Sequence, residues 1–155
     1  MGPVNGTDGP AGPSEPEYVR MVCRRADFRP VGMVKARWLD PHGDYELARA
    51  MWAGFMELSR EEWLSFWDQG YEYCGIVADG LLVACAAVWR YSDDAWELAA
   101  VGTLPAYRRR GLARVVSSLA TSRILDADRL ATCNTRADNV AMQRTAAAIG
   151  FALQM

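Results

Sequence analysis

The segment Arg108-Arg109-Arg110-Gly111-Leu112-Ala113 joins three guanidinium groups to a glycine and two small or apolar residues. The run before it, Trp96 to Leu104, reads as a strand that stops at Pro105. The run after it, Leu112 to Leu125, brings Leu112, Val115, Val116, Leu119 and Ile124 near one face of a helix. Gly111 therefore falls where a loop becomes a helix N-terminus. There the leading backbone N–H groups have no helical partner and the helix dipole is positive. Guanidinium groups beside such an end suit an anion, above all a phosphate or pyrophosphate. Gly111 and Ala113 are small enough for that anion to approach the main chain. A basic cluster next to a glycine is also what a solvated loop looks like, so the segment alone leaves both readings open.

The surrounding segments add specificity. After the loop come a helix over Arg114–Ile124, a strand over Leu130–Asn134, and a segment that begins at Asn139 and ends at Gly150-Phe151. Residues 96–155 together resemble the GNAT superfamily of acyl-CoA-dependent N-acyltransferases. That family has a Gln/Arg-x-x-Gly-x-Gly/Ala loop after its fourth strand, matched in order by Arg108, Gly111 and Ala113. The resemblance implies a central mixed, mostly antiparallel sheet with helices on both faces, an α/β (α+β) fold whose fourth and fifth strands splay apart. It also implies acetyl-CoA, or another acyl-CoA, as co-substrate. The pyrophosphate would lie on Arg108, Arg109, Arg110, Gly111, Leu112 and Ala113. The pantetheine arm would pair by strand addition with the main chain from Ala100 through Val101 and Gly102 to Thr103, and Gly102 would allow close approach. Asn139 stands where the family sets an Asn against the pantetheine arm; a helix N-cap is its other reading.

Acyl transfer to an amine needs a base for the amine proton and an acid for the leaving thiolate. Glu97 matches the place where many family members carry a glutamate that acts directly or through water. A half-buried strand carboxylate can have a raised pKa, which suits base work near neutrality. The alternative is a strand residue facing solvent. The acid departs from the pattern. Many members place a Tyr seven residues after the Asn, and here that position is Ala146. The one local hydroxyl is Thr145, a very weak acid, and Tyr91, Tyr107 and Cys133 are the candidates from elsewhere in the chain. The C-terminal run departs too, because the family's closing hairpin is represented only by Phe151–Met155. The final strand is then absent, or its neighbour comes from Tyr18–Arg24 or from a partner chain in a homodimer. These departures keep a second reading alive, a non-catalytic acyl-CoA-binding or sensing module.

The elements that must carry these residues alternate. Residues 1–17, rich in Gly and Pro without an apolar core, read as a disordered tail, and residues 18–155 as a single domain. Tyr18–Arg24 and Val31–Leu39 read as strands. Asp44 is placed to cap a helix through Leu58, and Ser59 with Glu62 makes a capping box for a second helix ending before Gly70. Tyr73–Ala78 and Leu81–Tyr91 are strands joined at Asp79-Gly80, a hairpin signal. The same order of elements is reached from this pattern without the loop motif.

Composition limits the partners. Of 155 residues, 51% are hydrophobic and 23% charged, with a formal net charge of −2, which is globular and gives no basic field for nucleic acid. The chain has no apolar membrane span or signal peptide and reads as cytoplasmic. Cys23, Cys74, Cys85 and Cys133 form no Cys-x-x-Cys pair and read as reduced core thiols. A single histidine, His42, argues against a zinc site. The acceptor is expected to be a small-molecule or peptide amine. The first two helices would wall its pocket with Trp52, Phe55, Met56, Trp63, Phe66 and Trp67, most of them core. Any that face the cleft would favour an aromatic, apolar or cationic acceptor.

Overall fold

A computed structural model describes residues 15–154. Most of the expected N-terminal tail, residues 1–14, lies outside the described residues, as does Met155. Among the described residues seven strands form one sheet: β1 Tyr18–Cys23, β2 Arg37–Trp38, β3 Tyr71–Ala78, β4 Leu81–Trp89, β5 Ala95–Thr103, β6 Leu130–Arg136 and β7 Ala152–Leu153. The order across the sheet is β2-β3-β4-β5-β6-β1-β7. Every neighbouring pair is antiparallel except β5 and β6. Among the described residues four α-helices pack on it: α1 Tyr45–Trp52, α2 Arg60–Asp68, α3 Leu112–Asp126 and α4 Val140–Ala148.

β4 shows why the sheet is covered on both faces. Ala84, Ala86 and Val88 pack with Val116, Ala120 and Ile124 of α3. Between them, Cys85 and Ala87 pack with Tyr45, Ala48 and Trp52 of α1 and Trp63 of α2. A strand buried on both sides loses the alternation of a half-exposed one and becomes a continuous apolar run, as Leu81–Trp89 does. On the α1/α2 side the core is aromatic. Trp52 meets Trp63 at 5.7 Å and Tyr73 at 5.5 Å, both edge-on, and such pairs add about 0.5–1.5 kcal/mol each beyond the area they bury. All four cysteines are buried and unbridged.

Local signals hold where chemistry is local. Asp79 and Gly80 both take positive φ, 54° and 76°, and turn β3 into β4. Ser59 caps α2 in a complete box: its hydroxyl accepts from the Glu62 N–H at 3.0 Å, and the Glu62 carboxylate accepts from the Ser59 N–H at 3.0 Å. Ser59→Ala is expected to destabilise the fold by about 1 kcal/mol, read as a lower urea midpoint. An unmoved midpoint would show that the box contributes nothing here.

Three expectations are corrected. Only Arg37–Trp38 of the Val31–Leu39 run is strand, because Met33–Lys35 turns as a 3-10 helix after Gly32, whose φ is +56°. The helix expected to reach Leu58 ends at Trp52. Ala53-Gly54 leaves the helix there, and the Trp52 carbonyl accepts N–H groups from both Phe55 and Met56 at 3.0 Å. Phe55 is thereby turned outward and is 74% exposed. Asp44 is the N-cap residue of α1, but its carboxylate does not cap it. It takes Arg37 at 2.8 and 3.0 Å instead, and that partner holds its pKa below the usual carboxylate range. At the C-terminal end, β7 pairs with β1, Leu153 opposite Met21. Gly150 precedes it at φ +115°, where a Cβ would collide with the Asp27 carbonyl oxygen.

Candidate functional site

β5 is paired on both sides only at its start. Ala95, Trp96 and Glu97 run parallel to Leu130, Ala131 and Thr132 of β6, and no later residue of β5 pairs with β6. Its other edge stays on β4 as far as Thr103 opposite Ala84. That edge carries a bulge between Cys85 and Ala87, with Ala100 opposite at φ +52°. Such a bulge bends and twists the strand, so β5 leaves β6 while keeping β4. The result is a V-shaped opening in the sheet whose β5 wall is main chain without a strand partner.

A cleft of about 920 Å³ fills the opening. Leu98 to Thr103 of β5 form one wall, including Val101, Gly102 and Thr103. Cys133, Asn134 and Thr135 of β6 form the other, and α4 contributes Met142 and Thr145. The mouth is the arginine loop, with Arg108, Arg109, Gly111, Leu112 and Ala113 in the lining. Gly111 is the N-cap residue of α3 at φ +76° and has no side chain with which to cap it. Arg109 also takes a left-handed conformation, at φ +65°. The leading N–H groups of α3 thus stand uncapped beside two guanidinium groups, a combination that favours an anion. Arg108 is steadied by donating Nε to the Thr103 carbonyl at 3.2 Å. Arg110 turns away from the cleft. It donates to the Ala106 carbonyl at 3.3 Å and stacks over Tyr107 at 5.0 Å. Asn139 lines the cleft and also caps α4, accepting the Met142 N–H at 3.1 Å.

Glu97 sits on the last paired rung of β5, outside the cleft lining, and is half-buried. Burial raises its pKa, while a hydrogen bond from Asn134 and the charge of Arg20 pull it down. The Asn134 bond is 2.5 Å long, Nδ2 donating to Oε1. Because Asn134 does line the cleft, it links the carboxylate to the opening. Asn134 is absent from the residues expected from sequence. Its role depends on the β5–β6 register, which no local pattern encodes.

The proton donors divide clearly. Ala146 is fully buried in the core with Ile149 and Phe151, and the neighbouring Thr145 faces the cleft instead. Cys133 lines the cleft, and burial pushes its thiol up to about 12, which disfavours the thiolate. Tyr107 lines the mouth with its hydroxyl donated to Asp79. Tyr91 lies outside the lining, its hydroxyl 3.2 Å from Thr132 Oγ1. A second cavity of about 720 Å³ opens on the other side of the bulge, between β5 and the end of α1, and shares Ala100 to Thr103 and Arg108 with the cleft. Among the described residues no three metal-ligating side chains come together, and no helix is long and apolar enough to cross a membrane.

The model of the acetyltransferase (GNAT) family matches residues 45–151. No curated protein matches the chain. Among solved structures, the chain is similar to an acetyltransferase of the GNAT family from Colwellia psychrerythraea, with a TM-score of 0.71, 15% identity, and coverage of 90% of this chain and 53% of that one. It is similar to a GCN5-related N-acetyltransferase from Kribbella flavida, with a TM-score of 0.63, 23% identity, and coverage of 90% and 55%. It is also similar to AAC(6')-Iy, solved in complex with the bisubstrate analog CoA-S-monomethyl-acetylneamine, with a TM-score of 0.61, 18% identity, and coverage of 76% and 89%. At such identities the likeness is one of fold. The chain spans between half and three fifths of the length of the first solved structures it matches.

Proposed function

The chain belongs to the acetyltransferase (GNAT) family, and on that premise we propose that it transfers an acetyl group from acetyl-CoA to a primary amine by direct attack. The observation that carries this reading is the open β5 edge beside an uncapped, arginine-flanked helix end. Unpaired strand main chain suits an amide-bearing arm laid along it, and the α3 end suits a pyrophosphate. Arg108, Arg109 and the N–H groups after Gly111 would hold that anion. Asn139 would stand against the arm.

Glu97 lies three residue steps of strand from the bulge at Ala100, about 10 Å along the chain. The reach suits a base acting through water. The amine nitrogen bonds the acyl carbon, the carbon–sulfur bond breaks, and Glu97 takes the amine proton. A thiolate is a tolerable leaving group, so solvent can supply its proton and no tyrosine at position 146 is required.

Coenzyme binding tests the reading. At a CoA concentration 100 times its Kd, the folded protein is expected to gain about 2.7 kcal/mol. For a domain of this size that raises Tm by roughly 5–10 °C. No shift at millimolar CoA would overturn the proposal.

A further inference from the structure

The second cavity speaks to the acceptor. Met51 and Trp52 at the end of α1, Phe55 and Met56 in the turn after it, and Phe66 of α2 form its outer wall. Among the described residues Arg108 is the one charged side chain in its lining, and no Asp or Glu contributes. The cavity lies beside the end of α1 at Trp52, and the turn that follows contributes Phe55 and Met56 to its lining. A helix continued to Leu58 would carry Phe55 and Met56 onward along the helix, and the ring of Phe55 would not stand out at the rim. Trp52 and Phe55 stay in contact, with ring centroids 6.4 Å apart.

The cavity meets the coenzyme cleft at the bulge. Ala100 to Thr103 line both, and the Met51 methyl group lies 3.7 Å from where a Cβ on Gly102 would be. A molecule lodged among the two methionines and the rings would therefore lie alongside the stretch of β5 that faces the acyl group in the acyl-transfer reading, on which this inference rests. Glu97 alternates with Leu98, which packs toward α3, and so shares the α1/α2 face with Ala99. One amine pointing out of the cavity can reach Glu97 through water. Further ammonium groups would be buried without a carboxylate and beside Arg108, which is costly.

We propose that the acceptor is a monoamine carried on an aromatic or other apolar body, held by Met51, Phe55, Met56 and Phe66, and not a polycation. Thioethers and rings fit such a body without demanding one shape.

The test compares 2-phenylethylamine with spermidine as acceptors for acetyl-CoA, measured by CoA release. The expected result is a kcat/KM at least tenfold higher for 2-phenylethylamine. Phe55→Glu is expected to lower that preference at least tenfold, mainly through KM, with the CoA-induced Tm shift unchanged. Phe55 is 74% exposed, so the substitution spares the core. Phe55→Ala should move KM the same way by a smaller factor and serves if the charged variant folds poorly. Equal or better use of spermidine overturns the proposal, as does an unchanged preference in both Phe55 variants. A decanoyl-CoA Tm shift that exceeds that of acetyl-CoA and is lost in Phe55→Glu also overturns it, because the cavity would then hold the acyl chain. Absence of any CoA shift in the unmodified protein would instead remove the acyl-transfer reading, and this one with it.

Discussion

Gly111→Glu is expected to abolish stabilisation by CoA, lowering coenzyme affinity at least 100-fold, or about 2.7 kcal/mol. Two effects act together. Gly111 sits at φ +76° with open space around a would-be Cβ, so a side chain is strained there, by roughly 1–2 kcal/mol, yet meets no wall. A glutamate carboxylate can then fold back onto the uncapped N–H groups of α3 and take the place of the pyrophosphate. It also repels whatever phosphate remains. Gly111→Ala carries the strain without the charge and separates the two. It should lower Tm without ligand about as much as the glutamate variant while retaining most of the CoA shift. Raised salt should narrow the gap between the variants, since the repulsion at this exposed loop is screened. A normal CoA shift in Gly111→Glu would place the pyrophosphate elsewhere on the molecule.

The loop was legible in the sequence because its physics is local. A glycine between a strand ending at Pro105 and an amphipathic run fixes where α3 begins. The Asp79-Gly80 hairpin and the Ser59–Glu62 box were legible for the same reason, since each is settled within four residues. The end of α1 was not. Leu47, Met51, Phe55 and Leu58 keep a helical period past the point where the helix stops, because Phe55 and Leu58 are placed by other contacts: Phe55 at the cavity rim, and Leu58 fully buried with its carbonyl accepting the Tyr45 hydroxyl at 2.6 Å. Arg110 was legible as a charge but not as a direction, and Tyr107 beside it decides where it points. The bulge at Ala100 had no sequence signal at all, since it places an alanine where a glycine would be the usual choice. Asn134 needed the parallel register of β5 on β6, a contact between segments 37 residues apart in sequence. The long-range pairing makes the cleft, and only its mouth is written locally.

Ala146 shows how the same limit bears on mechanism. Its position relative to Asn139 invites a comparison with a tyrosine acid, but in this packing it is fully buried against Ile149. A tyrosine there would overpack the core before it reached the cleft, so the α4 hydroxyl that lines the cleft is that of Thr145. In the proposed reaction, proton transfer at the amine is then the step in which a protein side chain would matter most, and the burden would fall on Glu97.

Glu97→Gln is accordingly expected to lower kcat for an amine acceptor at least tenfold, about 1.4 kcal/mol in the barrier, with the CoA shift retained. The amide oxygen can still accept the Asn134 bond, so the local geometry survives while the basic site is lost. Because burial raises the Glu97 pKa above the ordinary carboxylate value, the acidic limb of the unmodified enzyme's rate profile should lie above the range of a free glutamate. Activity should rise with pH as the group loses its proton. In Glu97→Gln that limb should disappear, leaving the dependence set by the amine itself. Asn134→Ala supplies an independent check, since the Asn134 bond holds the pKa down. Removing it should move the limb to higher pH while leaving a plateau. Unchanged kcat and an unchanged acidic limb in Glu97→Gln would remove Glu97 from the mechanism. If CoA binds normally but no amine in a broad panel releases it from acetyl-CoA, the result would favour the other reading, a sensor of acyl-CoA that has kept the cleft and lost the chemistry.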